Sequence, residues 1–263
     1  MKCKICTSST ELIFSAELMN KYQVSYFYCK NCGFLSTEEP YWLDEVYSSP
    51  ISKFDTGHIQ RNINISEKLT ILTAVFFNGN NNFVDYAGGN GILVRMMRDI
   101  GLNYFWEDKY ATNLFASGFE LNKNVVEKVE AVSVIECFEH FVEPLKEIEK
   151  MLLISKNIIF TTELLPAPLP TPNEWWYYTL KRGGHISFFS EKTLKYIANK
   201  YELHYFHLGG MHILTENKNI SNFKLNILKF TKLGLHNILA KKYKSKTWDD
   251  YQYMIKKSEN NNG

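Results

Sequence analysis

Four of the five cysteines form two Cys-x-x-Cys pairs near the N-terminus, Cys3 with Cys6 and Cys29 with Cys32. Each short turn places two sulfurs on the same side of a tight loop, and 22 residues separate the two pairs. Because Zn²⁺ prefers a tetrahedron of four ligands, two such turns can supply all four as thiolates. The pattern predicts a structural zinc site with no open position for substrate water. Four reduced thiols or a redox pair remain the alternative.

A glycine-rich turn follows an acidic residue in the segment VDYAGGNGIL at 84–93. Glycine permits a sharp bend and lets a ligand approach the backbone, and the N-terminus of the next helix points into the same space. The pattern is typical of a nucleotide pocket. A dinucleotide fingerprint counted from Gly89 needs a small residue where Val94 stands, which disfavours NAD.

Acidic and imidazole groups follow the next two strand patterns. Glu107 and Asp108 end the first of these strands, and Glu139 with His140 follows the second. A further histidine, His185, lies in a segment rich in aromatic residues. Imidazole titrates near neutral pH, so an imidazole beside a carboxylate can transfer protons.

These segments lie between strands and helices that alternate along the chain. Strand patterns occur at 83–87, 103–108, 131–138, 157–165 and 212–216, and helical patterns occur at 59–77, 92–102, 143–155 and 190–201. Such alternation predicts an α/β fold with a doubly wound, mostly parallel, Rossmann-like sheet beside a small zinc-ribbon-like module. In such sheets the ligand binds beyond the carboxyl ends of the strands, where most of the candidate residues stand.

The length of 263 residues allows one large domain and a small module. Apolar residues make up 45% and charged residues 22%, so the chain can bury a core and fold on its own. We expect a cysteine module at 1–45, a central domain at 46–215 and a basic, partly helical tail at 216–263. With no signal-peptide core and no apolar stretch of about 18 residues, we expect a cytoplasmic protein without a transmembrane segment.

Positive charge is concentrated in the tail. Residues 216–263 carry a net charge of +6, residues 1–215 carry −4, and the whole chain carries +2. This small excess argues against affinity from phosphate contacts with nucleic acid. Apolar residues between 225 and 239 predict an amphipathic helix that packs on its own domain or on a second subunit of a homodimer. Membrane contact is the less favoured alternative.

The glycine turn resembles motif I of class I S-adenosylmethionine-dependent methyltransferases, in which an acidic residue precedes G-x-G-x-G. Asp85, Gly89 and Gly91 match this motif, Gly88 lies within the turn, and Ala87 stands in place of the first glycine. The resemblance implies that these five residues bind S-adenosylmethionine. We expect a small-molecule substrate as the acceptor of the methyl group.

The resemblance also implies roles in cofactor binding for residues at and after the ends of the strands that follow the turn. It implies that Asp108, with Glu107 in reserve, binds the two ribose hydroxyls and that Phe119 lies near the adenine. The segment ECFEHFVEP at 136–144 is similar to the E-V-L-E-H…P segment that lines the methyl side of the pocket, which places Glu136 at the cofactor. Glu139 and His140 in that segment are catalytic or structural.

The combined motifs resemble bacterial methyltransferases with an N-terminal zinc-binding region, several of which act on nucleotide-linked sugars or surface-polysaccharide precursors. The resemblance covers roughly 1–215 and implies that His185 is the proton acceptor, although Gly184 replaces the acidic neighbour found in those enzymes. Carbon or oxygen methylation therefore stays open. The aromatic run at 175–178, which includes Tyr178, offers rings and phenol hydroxyls to a sugar-like acceptor, or it packs in the core or in a dimer contact.

Together, these residues predict methyl transfer to a sugar nucleotide or to a capsule or surface-polysaccharide precursor. Three alternatives stay open at this point. The acceptor could be a phosphate or phosphoramidate group on a capsule precursor. The chain could instead be a catalytically silent zinc-ribbon scaffold, or an interaction protein that uses its basic tail.

Overall fold

The computed structural model describes residues 1–47, 55–122 and 124–261. The chain divides into two compact units, of which the first contains Met1–Ser52 and Val134–Lys218 and the second contains Lys53–Ser133 and Asn219–Gly263. The domain boundaries expected near residues 45 and 215 stay predictions. This division places the cysteine-bearing N-terminus in the same unit as the later part of the central segment.

Strands and helices alternate along the described residues. The strands are β1 Glu11–Leu18, β2 Tyr22–Tyr28, β3 Leu35–Thr37, β4 Asn82–Tyr86, β5 Asn103–Glu107, β6 Val129–Val134, β7 Ile158–Thr161, β8 Ser187–Phe188, β9 His204–Leu208 and β10 Met211–Thr215. The α-helices are α1 Leu43–Val46, α2 His58–Phe76, α3 Ile92–Ile100, α4 Pro144–Leu152, α5 Glu191–Lys200, α6 Asn222–Leu225, α7 Leu235–Ala240 and α8 Thr247–Asn261. Shorter 3-10 turns are Phe138–His140, Trp176–Tyr178 and Asn226–Leu233.

The first unit contains an antiparallel sheet in the order β1-β2-β3-β8. In β2, Val24 and Tyr26 are buried while Gln23 between them is exposed, which is the alternation expected of a strand with one covered face. β3 pairs with β8 through Leu35 opposite Phe188. This short pairing attaches the segment that carries the aromatic run to the sheet that carries the cysteines.

The first unit also contains the antiparallel strands β7, β10 and β9. The sequence pattern predicts β7 and β10 but not β9, whose side chains are mostly half-buried and so give no clear apolar alternation. β9 and β10 form a hairpin through Gly209 and Gly210, which have φ values of 42° and 51°. A two-residue turn with two positive φ angles favours glycine at both positions.

The second unit contains three parallel strands in the order β5-β4-β6. The chain runs from β4 through α3 to β5, and α2 precedes β4, close to the predicted helix at 59–77. Parallel strands that alternate with helices confirm the predicted α/β class. Asp85 on β4 lies opposite Trp106 on β5 and Ser133 on β6, so three polar or amphipathic side chains meet near the carboxyl ends of these strands.

The tail packs within the second unit and differs from the single amphipathic helix predicted over 225–239. Gly234, with φ 77°, separates a 3-10 turn from α7, because this left-handed backbone conformation ends a helix. The sequence pattern does not predict α8. Asp250 on α8 accepts hydrogen bonds from Arg98 at 2.6 and 2.8 Å and from Arg95 at 2.9 Å. Within the described residues, no helix has the length and apolar character needed to cross a membrane.

Candidate functional site

The four N-terminal cysteines converge in the first unit. Their sulfurs all lie within 4.8 Å of one another, with Cys3 and Cys32 at 3.5 Å and Cys6 and Cys29 at 3.4 Å. A tetrahedral zinc with Zn–S bonds of about 2.3 Å has sulfurs about 3.8 Å apart, so the donor set fits zinc in both chemistry and spacing. The hydrogen bond between Cys3 and Cys32 lowers the pKa of the Cys3 thiol and raises that of the Cys32 thiol, so it favours one thiolate in this pair.

The second Cys-x-x-Cys turn is held by its neighbours. Gly33 has φ 77° and its N–H donates to the Cys29 carbonyl at 2.7 Å. A Cβ on Gly33 would collide with the Ser190 side chain, so only glycine fits there. The hydroxyl of Thr193 donates to the Cys32 carbonyl at 3.0 Å, which connects the cysteine turn to the start of α5.

The glycine turn between β4 and α3 has a left-handed backbone at three positions. Ala87, Gly89 and Gly91 have φ values of 57°, 55° and 83°. No described atom lies within 4 Å of the position a Cβ on Gly89 would occupy, so the backbone there borders free volume. Ala87 adopts the conformation that glycine favours, which gives a physical reason for glycine at this position in motif I.

Asp85 is 3% exposed at the end of β4. The hydroxyl of Ser133 donates to its Oδ1 at 2.8 Å. Burial raises the pKa of the Asp85 carboxyl to about 7, with the negative charge of Asp108 acting in the same direction. Asp85 therefore gains a proton near neutral pH, unlike a solvent-exposed aspartate.

Asp108 reaches the glycine turn directly. Its Oδ2 accepts from the Gly89 N–H at 2.9 Å, and its Oδ1 accepts from the N–H groups of Tyr110 and Ala111 at 2.7 and 2.9 Å. Glu107 ends β5, and its carbonyl accepts from the Gly88 N–H at 3.3 Å. Of the two carboxylates proposed for the ribose, that of Asp108 is hydrogen-bonded to the turn.

Phe119 and Glu136 lie in different units. Phe119 is 7% exposed, with the Arg98 guanidinium 3.8 Å from its ring centroid and the Tyr253 ring 5.7 Å away. Glu136, in the first unit, has φ 53°; its N–H donates to the Thr161 hydroxyl, which in turn donates to Glu136 Oε1, both at 2.8 Å. These two hydrogen bonds hold Glu136 against β7.

Two histidines and a glutamate form a cluster in the first unit. Glu139, His140 and His185 each offer a ligand atom within 4.8 Å of the others, and the imidazole centroids are 4.9 Å apart with the rings nearly perpendicular. Glu139 is fully buried. Its backbone carbonyl accepts from the Ile186 N–H at 2.9 Å, so the segment after β6 and the strand β8 are joined next to the cluster.

Backbone carbonyls fix both imidazole rings. His140 Nδ1 lies 2.9 Å from the Gly184 carbonyl, and His185 Nδ1 lies 2.8 Å from the Tyr177 carbonyl. A carbonyl oxygen only accepts hydrogen bonds, so both Nδ1 atoms carry a proton, and in the neutral form of each ring the lone pair is on Nε2. Burial lowers the pKa of His140 to about 4 and that of His185 to about 3, with the charge of Arg182 acting in the same direction on both.

The aromatic run at 175–178 contributes Tyr177 to this cluster. The Tyr177 ring lies 4.5 Å from the His185 ring, whereas the Tyr178 hydroxyl donates to the Pro170 carbonyl at 3.0 Å and its ring packs in the core of the first unit. Trp176 is 72% exposed. The Tyr47 hydroxyl lies 3.1 Å from His140 Nδ1, and sequence reasoning missed this residue because no motif marks it.

The comparisons with known proteins indicate one family. A family model described as a methyltransferase domain matches residues 58–208. No curated protein sequence matches the chain. Among solved structures, the chain is similar to TnmH, with 10% identity over 66% of this chain and 62% of TnmH and a TM-score of 0.42. It is also similar to the mitomycin 7-O-methyltransferase MmcR, with 15% identity over 66% of this chain and 59% of MmcR and a TM-score of 0.41.

The plantazolicin methyltransferase BpumL, in complex with SAH, is similar at 14% identity over 76% of this chain and 90% of BpumL, with a TM-score of 0.46. The chain spans less than two thirds of TnmH and of MmcR. At such identities and TM-scores the structural likeness carries no functional argument. The family model, by contrast, covers more than half of the chain and includes the glycine turn, both carboxylates after β5 and the histidine pair. The chain therefore belongs to the methyltransferase-domain family.

Proposed function

We propose that the protein transfers the methyl group of S-adenosylmethionine to a small acceptor, either a sugar nucleotide or a capsule or surface-polysaccharide precursor. The observation that carries this proposal is the left-handed glycine turn after β4, with Asp108 hydrogen-bonded to Gly89 and free volume beside the Gly89 backbone. This arrangement suits a ligand that brings ribose hydroxyls to a carboxylate and lies against a bare backbone.

The cofactor side of the reaction is assigned to the glycine turn and Asp108. Asp108, which already accepts three backbone hydrogen bonds, would accept from the ribose hydroxyls in addition or in exchange for the Gly89 N–H. Gly89 and Gly91 keep the backbone close to the ligand, and Ala87 and Gly88 complete the turn. Bound S-adenosylmethionine supplies the methyl group on its sulfonium; the acceptor oxygen gains that methyl and loses a proton, and the cofactor leaves as a neutral thioether.

Phe119 and Glu136 are proposed as further cofactor contacts. Phe119 already stacks against Arg98, so an adenine would meet its edge or displace that contact. Glu136 is exposed at the end of β6, with a positive φ that turns it away from an extended strand path. We keep both as proposed contacts, with Glu136 assigned to the methyl side.

The acceptor side is assigned to the pair of His140 and His185. His185 is oriented by the Tyr177 carbonyl so that Nε2 carries the lone pair that acts on the acceptor hydroxyl. His140 is oriented in the same way by Gly184, and Tyr177 rather than Tyr178 is the tyrosine beside His185. The buried Glu139 side chain lies next to this pair.

Exposed residues next to the histidine pair suit a phosphorylated acceptor. Lys181 and Arg182 are both exposed just before the histidine, and the exposed Trp176 offers a flat apolar face. An arginine binds phosphate through two parallel hydrogen bonds, and an aromatic ring stacks on a sugar or base. The same two cations favour, as the second candidate, methylation of a phosphate or phosphoramidate group.

The cysteine cluster is proposed to hold a structural zinc ion. Four sulfurs within 4.8 Å of one another can fill all four positions around a zinc ion and leave none for a substrate. β3, which follows the second cysteine pair, is paired with β8, two residues after His185. Zinc at the cysteines would therefore stabilise the sheet to which the histidine loop is attached.

The test of the proposed function is product formation. The purified protein is incubated with S-adenosylmethionine and with candidate sugar nucleotides or phosphorylated sugars, and mass spectrometry measures S-adenosylhomocysteine and a 14 Da gain in the acceptor. We expect both products in equal amounts from at least one acceptor. An absence of S-adenosylhomocysteine with every acceptor, in protein that binds S-adenosylmethionine, would contradict the proposal.

A further inference from the structure

The cluster of Glu139, His140 and His185 has the composition of a metal site. One carboxylate oxygen and one ring nitrogen from each histidine lie within 4.8 Å of one another. Two imidazoles and one carboxylate are the donor set that first-row divalent cations accept on one face, with the remaining positions open to water or substrate. This set differs from the cysteine cluster, which offers sulfur alone.

The hydrogen bonds around the two rings are those of metal-ligating histidines. Such a histidine usually donates its other ring N–H to a backbone carbonyl or a carboxylate, which fixes the ring and leaves the opposite nitrogen for the metal. Both rings have this arrangement, since Nδ1 of His140 faces the Gly184 carbonyl and Nδ1 of His185 faces the Tyr177 carbonyl. When the rings are neutral and the proton of each is on Nδ1, the Nε2 lone pairs are available to bind a cation.

The surroundings of the cluster also suit a cation. Glu139 is fully buried, so a cation beside it would be shielded from bulk water and would favour the ionised form of its carboxyl. Tyr177 closes one side of the cluster, with its ring 4.5 Å from that of His185. The positive charge of Arg182 disfavours a cation at the cluster. Arg182 is exposed, however, and it lies on the loop that precedes His185 rather than among the three donors.

We propose that Glu139, His140 and His185 bind a first-row divalent cation such as Mn²⁺ or Fe²⁺ through one carboxylate oxygen and the unprotonated nitrogen of each ring. The binding itself is independent of methyl transfer. Its role rests on the proposed function: the cation binds the acceptor oxygen as a Lewis acid and lowers the pKa of its hydroxyl, so that the proton leaves to water, whereas without the cation His185 Nε2 accepts that proton itself. The acceptor class that suits this arrangement has two neighbouring oxygens, as a sugar diol or a phosphate has.

The test is a calorimetric titration of Mn²⁺ into protein whose cysteines are already loaded with zinc, in the absence of S-adenosylmethionine. Mn²⁺ prefers oxygen and imidazole ligands to thiolates, so the cysteine site does not contribute. We expect one Mn²⁺ per chain in the wild type. Glu139→Gln and His185→Gln should each weaken the affinity at least about tenfold, as losses around a metal site typically do.

His207→Gln is the matched control, because His207 is a partly exposed histidine on β9 outside the cluster. It should bind Mn²⁺ like the wild type. A wild type that binds Mn²⁺ no more tightly than Glu139→Gln would overturn the site. Because either cluster variant could misfold, NMR of the wild type gives a second readout: Mn²⁺ should broaden the imidazole signals of His140 and His185 more strongly than those of His207, which lies outside the cluster. Equal broadening of all three would also contradict the site.

Different results would contradict the cation site and the proposed methyl transfer. Protein that forms S-adenosylhomocysteine with a chelator present and binds no Mn²⁺ would contradict the cation site and leave methyl transfer standing. Protein that binds one Mn²⁺ through the cluster and forms no S-adenosylhomocysteine with any acceptor would contradict the proposed function and leave the cation site standing.

Discussion

Replacing Asp85 with asparagine should change how the stability of the protein depends on pH. Burial raises the pKa of the Asp85 carboxyl from 3.8 to about 7 in the folded state. An acid with a raised pKa binds its proton more tightly in the folded than in the unfolded chain. The contribution of Asp85 to the free energy of unfolding is therefore largest at low pH, and it is lost as the pH rises from about 4 to about 7.

The size of this effect follows from the two pKa values. Each tenfold difference in proton affinity is about 1.36 kcal/mol, so the loss across this pH range approaches about 4 kcal/mol as an upper value. Asparagine is uncharged at every pH and can still accept the hydrogen bond from Ser133, which reaches Oδ1 in the wild type. The stability of Asp85→Asn relative to the wild type should therefore rise by about 2–4 kcal/mol between pH 4.5 and pH 8.

The assay is urea unfolding at several pH values, followed by circular dichroism, with the free energy of unfolding extrapolated to water. Asp249→Asn is the control, because Asp249 is a solvent-exposed aspartate on α8 with 59% of its side chain accessible. Its stability relative to the wild type should not change over the same pH range. Parallel pH profiles for the wild type and Asp85→Asn would refute the assignment of a buried carboxyl with a raised pKa.

Three further predictions concern the cysteines, the tail and the histidine loop. Cys29→Ser should lose the zinc measured by metal analysis and lower the unfolding temperature, because a structural zinc contributes folding free energy. Asp250→Ala should cost about 3 kcal/mol of unfolding free energy by leaving the buried Arg98 without its carboxylate, whereas Asp249→Ala should cost little. His185→Ala should lower turnover by roughly 10²- to 10⁴-fold and leave the affinity for S-adenosylmethionine nearly unchanged. Wild-type turnover in His185→Ala with a hydroxyl acceptor would move the chemistry to Glu139 and His140.

The sequence predicts the glycine turn and the elements around it because local physics determines them. Glycine at 88, 89 and 91 permits the positive φ angles observed at two of these positions, and the helix that follows shows its apolar face in the sequence. The strand β5 and the carboxylates at its end are also local features. By contrast, the hydrogen bond from Gly89 to Asp108 is not a local feature. It joins residues that are 19 positions apart, so the sequence does not predict it.

Other features depend on pairings that leave little trace in the sequence. β3 and β8 share only two residue pairs, yet they attach the cysteine segment to the histidine loop. The helix α8 is anchored by Asp250 rather than by a strong apolar stripe, so periodicity does not reveal it. The choice between Tyr177 and Tyr178 as neighbour of His185 depends on the 3-10 turn at Trp176–Tyr178, which an aromatic run does not predict.

Calorimetric titration with S-adenosylmethionine tests the central claim most directly, since the glycine turn and Asp108 carry the proposed function. The wild type should bind one cofactor per chain, and Asp108→Ala should lose on the order of 1.5–3 kcal/mol of binding free energy, the value of hydrogen bonds to a charged group. Asp249→Ala, at an exposed aspartate in the same unit, should bind like the wild type. Equal affinity in Asp108→Ala would move the ribose contact to Glu107, and no binding by the wild type would contradict the account.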